Sequence, residues 1–361
     1  MTRKFMKGCE AIAEAAVRSG CRFFAGYPIT PQNEIPEYFA RRMPEVGGCF
    51  VQGESEIASV NMVYGAAQTG VRSMTSSSSC GISLKSEGIS FCASARIPIV
   101  YCNVARGGPG IGAIQPAQQD YFQATKASGN GGFRMIVLAP ATVQEAVDMT
   151  YEAFDLAQRD RNPVLILADG VLGTIMEPVE LPPMRTEEEV RELREAAKDW
   201  ALSGHPAEEK KLTLPGGWRG QEERCKANAA MYETWEKDIR AEEYLLEDAE
   251  MVIAAYGISA RVAKSAVRLL RKEGYRVGMI RPQTVSPFPY RNFERLDYKR
   301  VKCVLDVEMS IPAQLSYDVE LGVKGRCPVY TCLRSGGEIM GRETIMEAVK
   351  EIYGAQKEGS L

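Results

Sequence analysis

Short, nearly continuous apolar runs alternate along this chain with longer stretches in which apolar side chains recur every third or fourth position. CRFFAG (21–26), GGCFVQG (47–53), the run at 71–75, IPIVYCNVA (97–105), FRMIVLA (133–139) and NPVLILA (162–168) read as strands, stopped by Gly, Pro or polar residues. Residues 32–42, 54–69, about 83–94 and 142–159 carry the helical period between them. Residues 5–18, with Phe5, Ile12, Ala16 and Val17 among charged side chains, predict a surface helix. This alternation predicts an α/β architecture, a mostly parallel sheet covered by helices on both faces. In such sheets ligands bind beyond the carboxyl ends of the strands. Three loops fall there: Tyr27-Pro28-Ile29-Thr30-Pro31, Ser76–Ser79 and Arg106-Gly107-Gly108.

The pattern changes at 178–247, which is charged, prolyl in places and poor in β-branched residues. A connector between two domains, with one or two solvated helices, is the expected reading. From 250 onward, AEMVIAAYGISARVAKSAVRLLRKEGYRVGMIRPQ, KCVLDVEMS, CPVYTCLRS and ETIMEAVKEIYG predict a second, smaller α/β unit. The expected organisation is residues 1–180, a connector at 181–249, and residues 250–361. A chain of 361 residues exceeds the usual size of a single core, in keeping with two domains.

Composition narrows the functions. A net charge of −3 gives no basic footprint for nucleic acid. No apolar run approaches the length of a membrane span, and the first twenty residues lack the continuous apolar core of a signal peptide. The cytoplasm is the expected compartment. Ten cysteines lie in the chain without CxxC spacing. Several, such as Cys102 and Cys303, fall inside apolar runs, so buried free thiols are expected rather than a metal site or cluster. The single histidine, His205, lies in a polar Gly-Pro stretch, which argues against histidine catalysis.

Gly108-Pro109-Gly110-Ile111-Gly112-Ala113 formally matches a dinucleotide fingerprint, but Pro116 interrupts the helix that should begin there. No P-loop is present. Arg106 ends a buried strand, and its guanidinium either takes a carboxylate bidentately or pairs with a neighbouring loop. Glu56 heads a helix, where a glutamate either complements the dipole or, once desolvated, becomes a tuned carboxyl group. Thr30, between Ile29 and Pro31, is either a pre-positioned hydroxyl or the N-cap of the helix at 32–42.

YPITP (27–31), GESEIASVNMVYGAA (53–67), MTSSSSCGISLKSEGIS (74–90), RGGPGIG (106–112), VLAP (137–140), MIRPQTVSPFP (279–289) and VEMS (307–310) together resemble the alpha subunit of thiamine diphosphate-dependent 2-oxoacid:ferredoxin oxidoreductases. The 2-ketoisovalerate branch is the most similar. The resemblance implies a thiamine diphosphate-binding fold, with residues 1–180 as the pyrimidine-binding domain and 250–361 as a domain like the C-terminal domain of transketolase. It places Tyr27, Pro28, Glu56, Ser77 and Ser78 at the cofactor, and Thr30 and Arg106 at the substrate. Glu56 matches the glutamate that hydrogen-bonds N1′ of the aminopyrimidine and so promotes removal of the thiazolium C2 proton. The GDG…NN signature of the diphosphate half is missing. The resemblance therefore puts the diphosphate and Mg²⁺ on a beta subunit and the [4Fe-4S] clusters on partner subunits, with gamma and ferredoxin-like delta chains completing the complex. Coenzyme A and ferredoxin are the other implied reactants. Two departures stand out: Gly110-Ile111 replaces the hydroxyl pair of the GPST form, and Ala313 stands where relatives often carry glycine before Gln314.

The reading that results is oxidative decarboxylation of a branched-chain 2-oxoacid, with 2-oxoglutarate and then pyruvate as alternative substrates. A non-redox decarboxylase subunit and a non-catalytic scaffold are the competing classes.

Overall fold

A computed structural model describes residues 3–126, 128–204 and 220–357. His205 lies outside the described residues. The chain opens with strand β1 (Lys4–Lys7), helix α1 (Gly8–Arg18), β2 (Phe23–Gly26), α2 (Glu34–Arg42), β3 (Cys49–Gln52), α3 (Glu56–Gln68) and β4 (Ser73–Ser77). It continues through α4 (Cys80–Ala95), β5 (Val100–Ala105), α5 (Tyr121–Thr125), β6 (Ile136–Leu138), α6 (Val143–Asp160), β7 (Val164–Asp169), α7 (Gly170–Thr174) and β8 (Met176–Val179). Next come α8 (Glu187–Glu195), α9 (Gln221–Glu233), β9 (Ala241–Tyr244), β10 (Met251–Ala254), α10 (Gly257–Lys272), β11 (Val277–Pro282) and β12 (Thr284–Ser286). The remaining elements are α11 (Tyr290–Glu294), β13 (Cys303–Glu308), α12 (Leu315–Val323), β14 (Val329–Leu333) and α13 (Arg342–Lys357).

The first sheet has seven strands in the order β12-β6-β7-β5-β4-β2-β3, all parallel except β12. The strand alternation sorts side chains to two cores. Val100, Cys102 and Val104 face α1, α2 and α6, whereas Tyr101, Val137 and Leu165 face α3, α4 and the second domain. The second sheet runs β14-β13-β10-β11-β9, parallel apart from β9.

Three expectations change. Residues 4–7 form a strand paired with β8, and α1 is buried along nearly its whole length instead of lying on the surface. Small residues at Ala11, Ala13, Ala15 and Ala16 let α6 and α2 approach it closely, and its buried Glu14 is neutralised by Arg18 and Arg42. Ser76 and Ser77 finish β4 rather than beginning a loop. The third change is at the domain boundary. β12, from the second half of the chain, pairs with β6 of the first sheet, while Ala241–Tyr244 leaves the connector to join the second sheet. Helices α8 and α9 of the connector have no buried residue, as its charge predicts, while Ala197, Ala201 and Trp235 are buried. No helix among the described residues is long and apolar enough to cross a membrane.

Arg281 pins the two sheets together. From β11 it donates to both oxygens of Glu145 on α6, at 2.6 and 2.8 Å, and its Nε donates to Glu242 of β9 at 2.8 Å. Burial disfavours the Glu145 carboxylate, but the bonds and charge of Arg281 outweigh it and hold the group below the usual range. Replacing Arg281 by Met should cost about 2–3 kcal/mol, discounted for the partial exposure of both glutamates. Because the folded Glu145 is depressed, its share of stability is complete above the unfolded carboxylate range and disappears as pH falls through the folded value. Thermal melts of wild type and R281M at several pH values check this: the two should converge in acid.

Candidate active site

The predicted loops meet at the carboxyl end of the first sheet, and Arg106 is where they join. It follows β5 directly, and its Nη1 donates to the Thr30 carbonyl at 2.7 Å. Its Nη2 donates to the Ile111 carbonyl at 2.9 Å and to the Cys80 thiol at 3.2 Å. These hydrogen-bond partners are not acidic, and the Arg106 charge also acts on buried Asp120, where it opposes the upward push of burial. Its Nε is buried with no partner. Of the two alternatives for this residue, a salt bridge to a neighbouring loop is not what forms.

Thr30 is exposed and does not cap a helix, because α2 begins only after Asn33. Its hydroxyl accepts one long bond, from Asn33 Nδ2 at 3.4 Å. Tyr27 and Pro28 are exposed at the same lip, and the Tyr27 carbonyl accepts from buried Gln32, which in turn accepts from Ser76 at 2.5 Å. The turn is thereby tied to β4.

Glu56 is the first residue of α3, behind the N-cap Ser55, and is 6% exposed. Within the described residues its carboxylate makes no hydrogen bond. The carboxylate lies against the first turn of α4. A Cβ built on Gly81 would stand 2.7 Å from Glu56 Oε1 and 2.0 Å from Ser77 Oγ, so only glycine permits this approach. Ser77 and Ser78 have buried hydroxyls without partners. Ser79, at φ 37°, occupies a strained backbone region and is held by Asn103 and Asp120. Burial pushes the Asp120 carboxyl up, against bonds from Ser79 and Asn103.

The second domain reaches this end of the sheet through the stretch that follows β13. Gln314 donates to the Gln119 carbonyl at 2.7 Å, and Gln119 accepts from Gly108 N at 2.9 Å. Met309 and Gln118 exchange two further bonds through their main-chain and side-chain groups. The glycine loop is thus clasped by the second domain, and no helix starts within it, against a dinucleotide fold.

Sequence reasoning missed Lys85. Its Nζ is fully buried and donates to Thr75 Oγ1 at 2.9 Å and to the Glu56 main-chain carbonyl at 3.3 Å. The signal was available: Lys85 is in phase with Ile82 and Ile89, on the inward stripe of α4. Helix α3 leaves one face open. Ile57, Asn61, Met62 and Gly65 are exposed, and nothing lies within 4 Å of the space outside Gly65. Among the ten cysteines, all free, Cys9, Cys21, Cys92, Cys102, Cys303 and Cys332 are buried, as their apolar surroundings predict.

Residues 14–243 match the family model for pyruvate flavodoxin/ferredoxin oxidoreductase, thiamine diphosphate-binding region, and residues 249–345 match core domain II of pyruvate:ferredoxin oxidoreductase. The chain belongs to this family. It is 43% identical to ketoisovalerate oxidoreductase subunit VorB of Methanothermobacter thermautotrophicus, over 98% of this chain and 99% of that one. Its structure is similar to 2-oxoglutarate:ferredoxin oxidoreductase from Magnetococcus marinus, solved with 2-oxoglutarate, coenzyme A and succinyl-CoA bound. The TM-score is 0.82 at 26% identity, over 97% of this chain and 65% of that one. Transketolase from Campylobacter jejuni shares the fold at a TM-score of 0.57 and 12% identity. The α/β fold is therefore that of a thiamine diphosphate-binding protein, as the motifs imply.

The residues present are compatible with a polar aminopyrimidine: the Ser77 and Ser78 hydroxyls are buried without partners, and the Glu56 carboxylate lies against Gly81. Substituting Gly81 by Ala should cost about 1–3 kcal/mol of stability through overpacking. It should also weaken thiamine diphosphate binding at least tenfold, measured by calorimetry on the assembled protein.

Proposed function

We propose that this chain is the alpha subunit of a 2-oxoacid:ferredoxin oxidoreductase that acts on 2-ketoisovalerate. One observation carries the reading: likeness to a ketoisovalerate oxidoreductase subunit runs nearly end to end, at 43% identity over 98% of this chain. The reaction converts the 2-oxoacid and coenzyme A to acyl-CoA and carbon dioxide, passing two electrons to ferredoxin. Thiamine diphosphate, when bound, supplies the carbon nucleophile and electron sink for decarboxylation.

The chain's own residues bind and orient. Glu56 holds a proton at N1′ of the pyrimidine, in a pocket dry enough to make that exchange matter. Ser77 and Ser78 offer hydroxyls to the same ring, and Tyr27 and Pro28 border it at the lip. Arg106 takes the substrate carboxylate through its guanidinium, while the Thr30 hydroxyl meets a substrate oxygen. Too tight a grip on that carboxylate would stabilise ground and transition states alike, because decarboxylation destroys the charge. Ile111, 83% exposed, and Ile114, 57% exposed, extend the loop beside Arg106 with apolar side chains. They suit a branched hydrocarbon better than a second carboxylate. 2-Oxoglutarate is the second reading, favoured by the likeness to the Magnetococcus marinus enzyme.

The bare faces of the packed helices α3 and α4 support a partner. Ile57, Met62, Leu84 and Phe91 are exposed beside the site. A beta subunit carrying the diphosphate and Mg²⁺ half-site covers them in this reading. Gamma and ferredoxin-like delta chains, bearing the [4Fe-4S] clusters, complete a cytoplasmic assembly. The division into a first domain, a connector and a second domain belongs to the same proposal, with β9 and β12 joining sheets across the expected bounds at 180 and 250.

In the reconstituted complex, Glu56→Gln should lower kcat by about 10²–10⁴-fold with little change in KM. Dye reduction with 2-ketoisovalerate, 2-oxoglutarate and pyruvate measures this and ranks the substrates. Retained turnover in Glu56→Ala would sink the catalytic role and leave a scaffold, and preference for 2-oxoglutarate would replace the substrate assignment.

A further inference from the structure

Resting on the thiamine diphosphate reading of Glu56, we propose that Lys85 is a positioning residue for that glutamate. Its Nζ fixes the head of α3 through the Glu56 main-chain carbonyl, and its charge state controls how readily the Glu56 carboxyl group exchanges its proton. The residue is an anomaly on packing grounds. A lysine ammonium with no exposure carries a large desolvation cost, and a methionine would fill the same space between Ile82 and Ile89 more cheaply. What it does with its donors is specific. The Thr75 hydroxyl donates to the Ala25 carbonyl at 2.7 Å and accepts from Lys85. One amine therefore links the head of α3 to β4 and, through Thr75, to β2 just before the Tyr27–Pro31 turn.

Electrostatics follow from that placement. Burial pushes the Lys85 ammonium from the ordinary lysine range down to about 7, and the Glu56 charge alone opposes the shift. No other charged group on α3, β4 or the neighbouring strands contributes among the described residues. Lys85 is thus charged below about pH 7 and neutral above it. The coupling is reciprocal. Protonated Lys85 places a positive charge beside Glu56, and loss of the lysine proton removes that charge.

Lys85→Gln keeps a donor of similar reach without the charge, and Lys85→Met removes both. In complexes assembled with each variant, the pH profile of kcat/KM should shift by about one pH unit, since the titrating charge beside Glu56 is gone. Binding of thiamine diphosphate to the cofactor-free complex, followed by calorimetry, should shift in parallel. Thermal melts and size determination confirm that each variant assembles. A merely structural lysine predicts instead that Lys85→Gln restores the wild-type profile, and superimposable pH profiles would overturn the proposal. The wild-type complex supplies a second arm that needs no variant. Proton exchange on cofactor binding, read from buffers of different ionisation heat, should change sign or size near pH 7, and a flat count across neutrality would also overturn it. Activity on 2-ketoisovalerate in the wild-type complex tests the underlying function separately, so the two ideas fail independently.

Discussion

The approach of Glu56 to the first turn of α4 leaves no room for a side chain at Gly81, and the active-site end of the sheet is built outward from that contact. A helix that begins at Cys80 puts Gly81 under the carboxylate and Cys80 against Arg106 in consecutive positions. Glu56 and Arg106, which the proposed function assigns to cofactor and substrate, are therefore both met by one turn of backbone. Arg106 then fastens the Thr30 carbonyl, and Gln32 fastens the Tyr27 carbonyl to β4. Little of this depends on flexible side chains reaching across solvent, which suits a site whose residues must hold geometry within fractions of an ångström.

The second domain is part of the same construction. It lends β12 to the first sheet, locks Arg281 between Glu145 and Glu242, and clasps the glycine loop with Gln314. A chain cut between the two family regions would leave β6 without its antiparallel neighbour and Glu145 without its counter-charge. Ile57 and Met62 of α3 and Leu84 and Phe91 of α4 stay exposed among the described residues. Within the proposed complex, this is where a second polypeptide completes the pocket.

How far the site was legible varies residue by residue. Glu56, Thr30 and Arg106 stood at strand and helix ends in distinctive local sequence, and those positions are readable because sheet ligands gather at carboxyl ends. Gly81, in the same quoted stretch, carried no local signal of chemistry, and Lys85 carried only its phase with Ile82 and Ile89. Neither shows its role until a partner from another element is placed against it. The first helix failed for a related reason. Its charged residues suggested solvent, but Glu14 is paired with arginines from α1 and α2.

By itself the sequence determined the alternation of strands and helices, the loops at strand ends, the burial of most cysteines and the family. All of these rest on short-range patterns: hydrophobic period, turn residues and motif spacing. Tertiary structure alone decided which distant groups share a pocket: Cys80 with Arg106, Lys85 with Glu56, Gln314 with the glycine loop. It also decided that β12 crosses to the other sheet and that one face of α3 stays bare. The physical reason is that burial and electrostatics belong to contacts between elements, and the pitch of a helix or strand says which way a side chain points without saying what it meets.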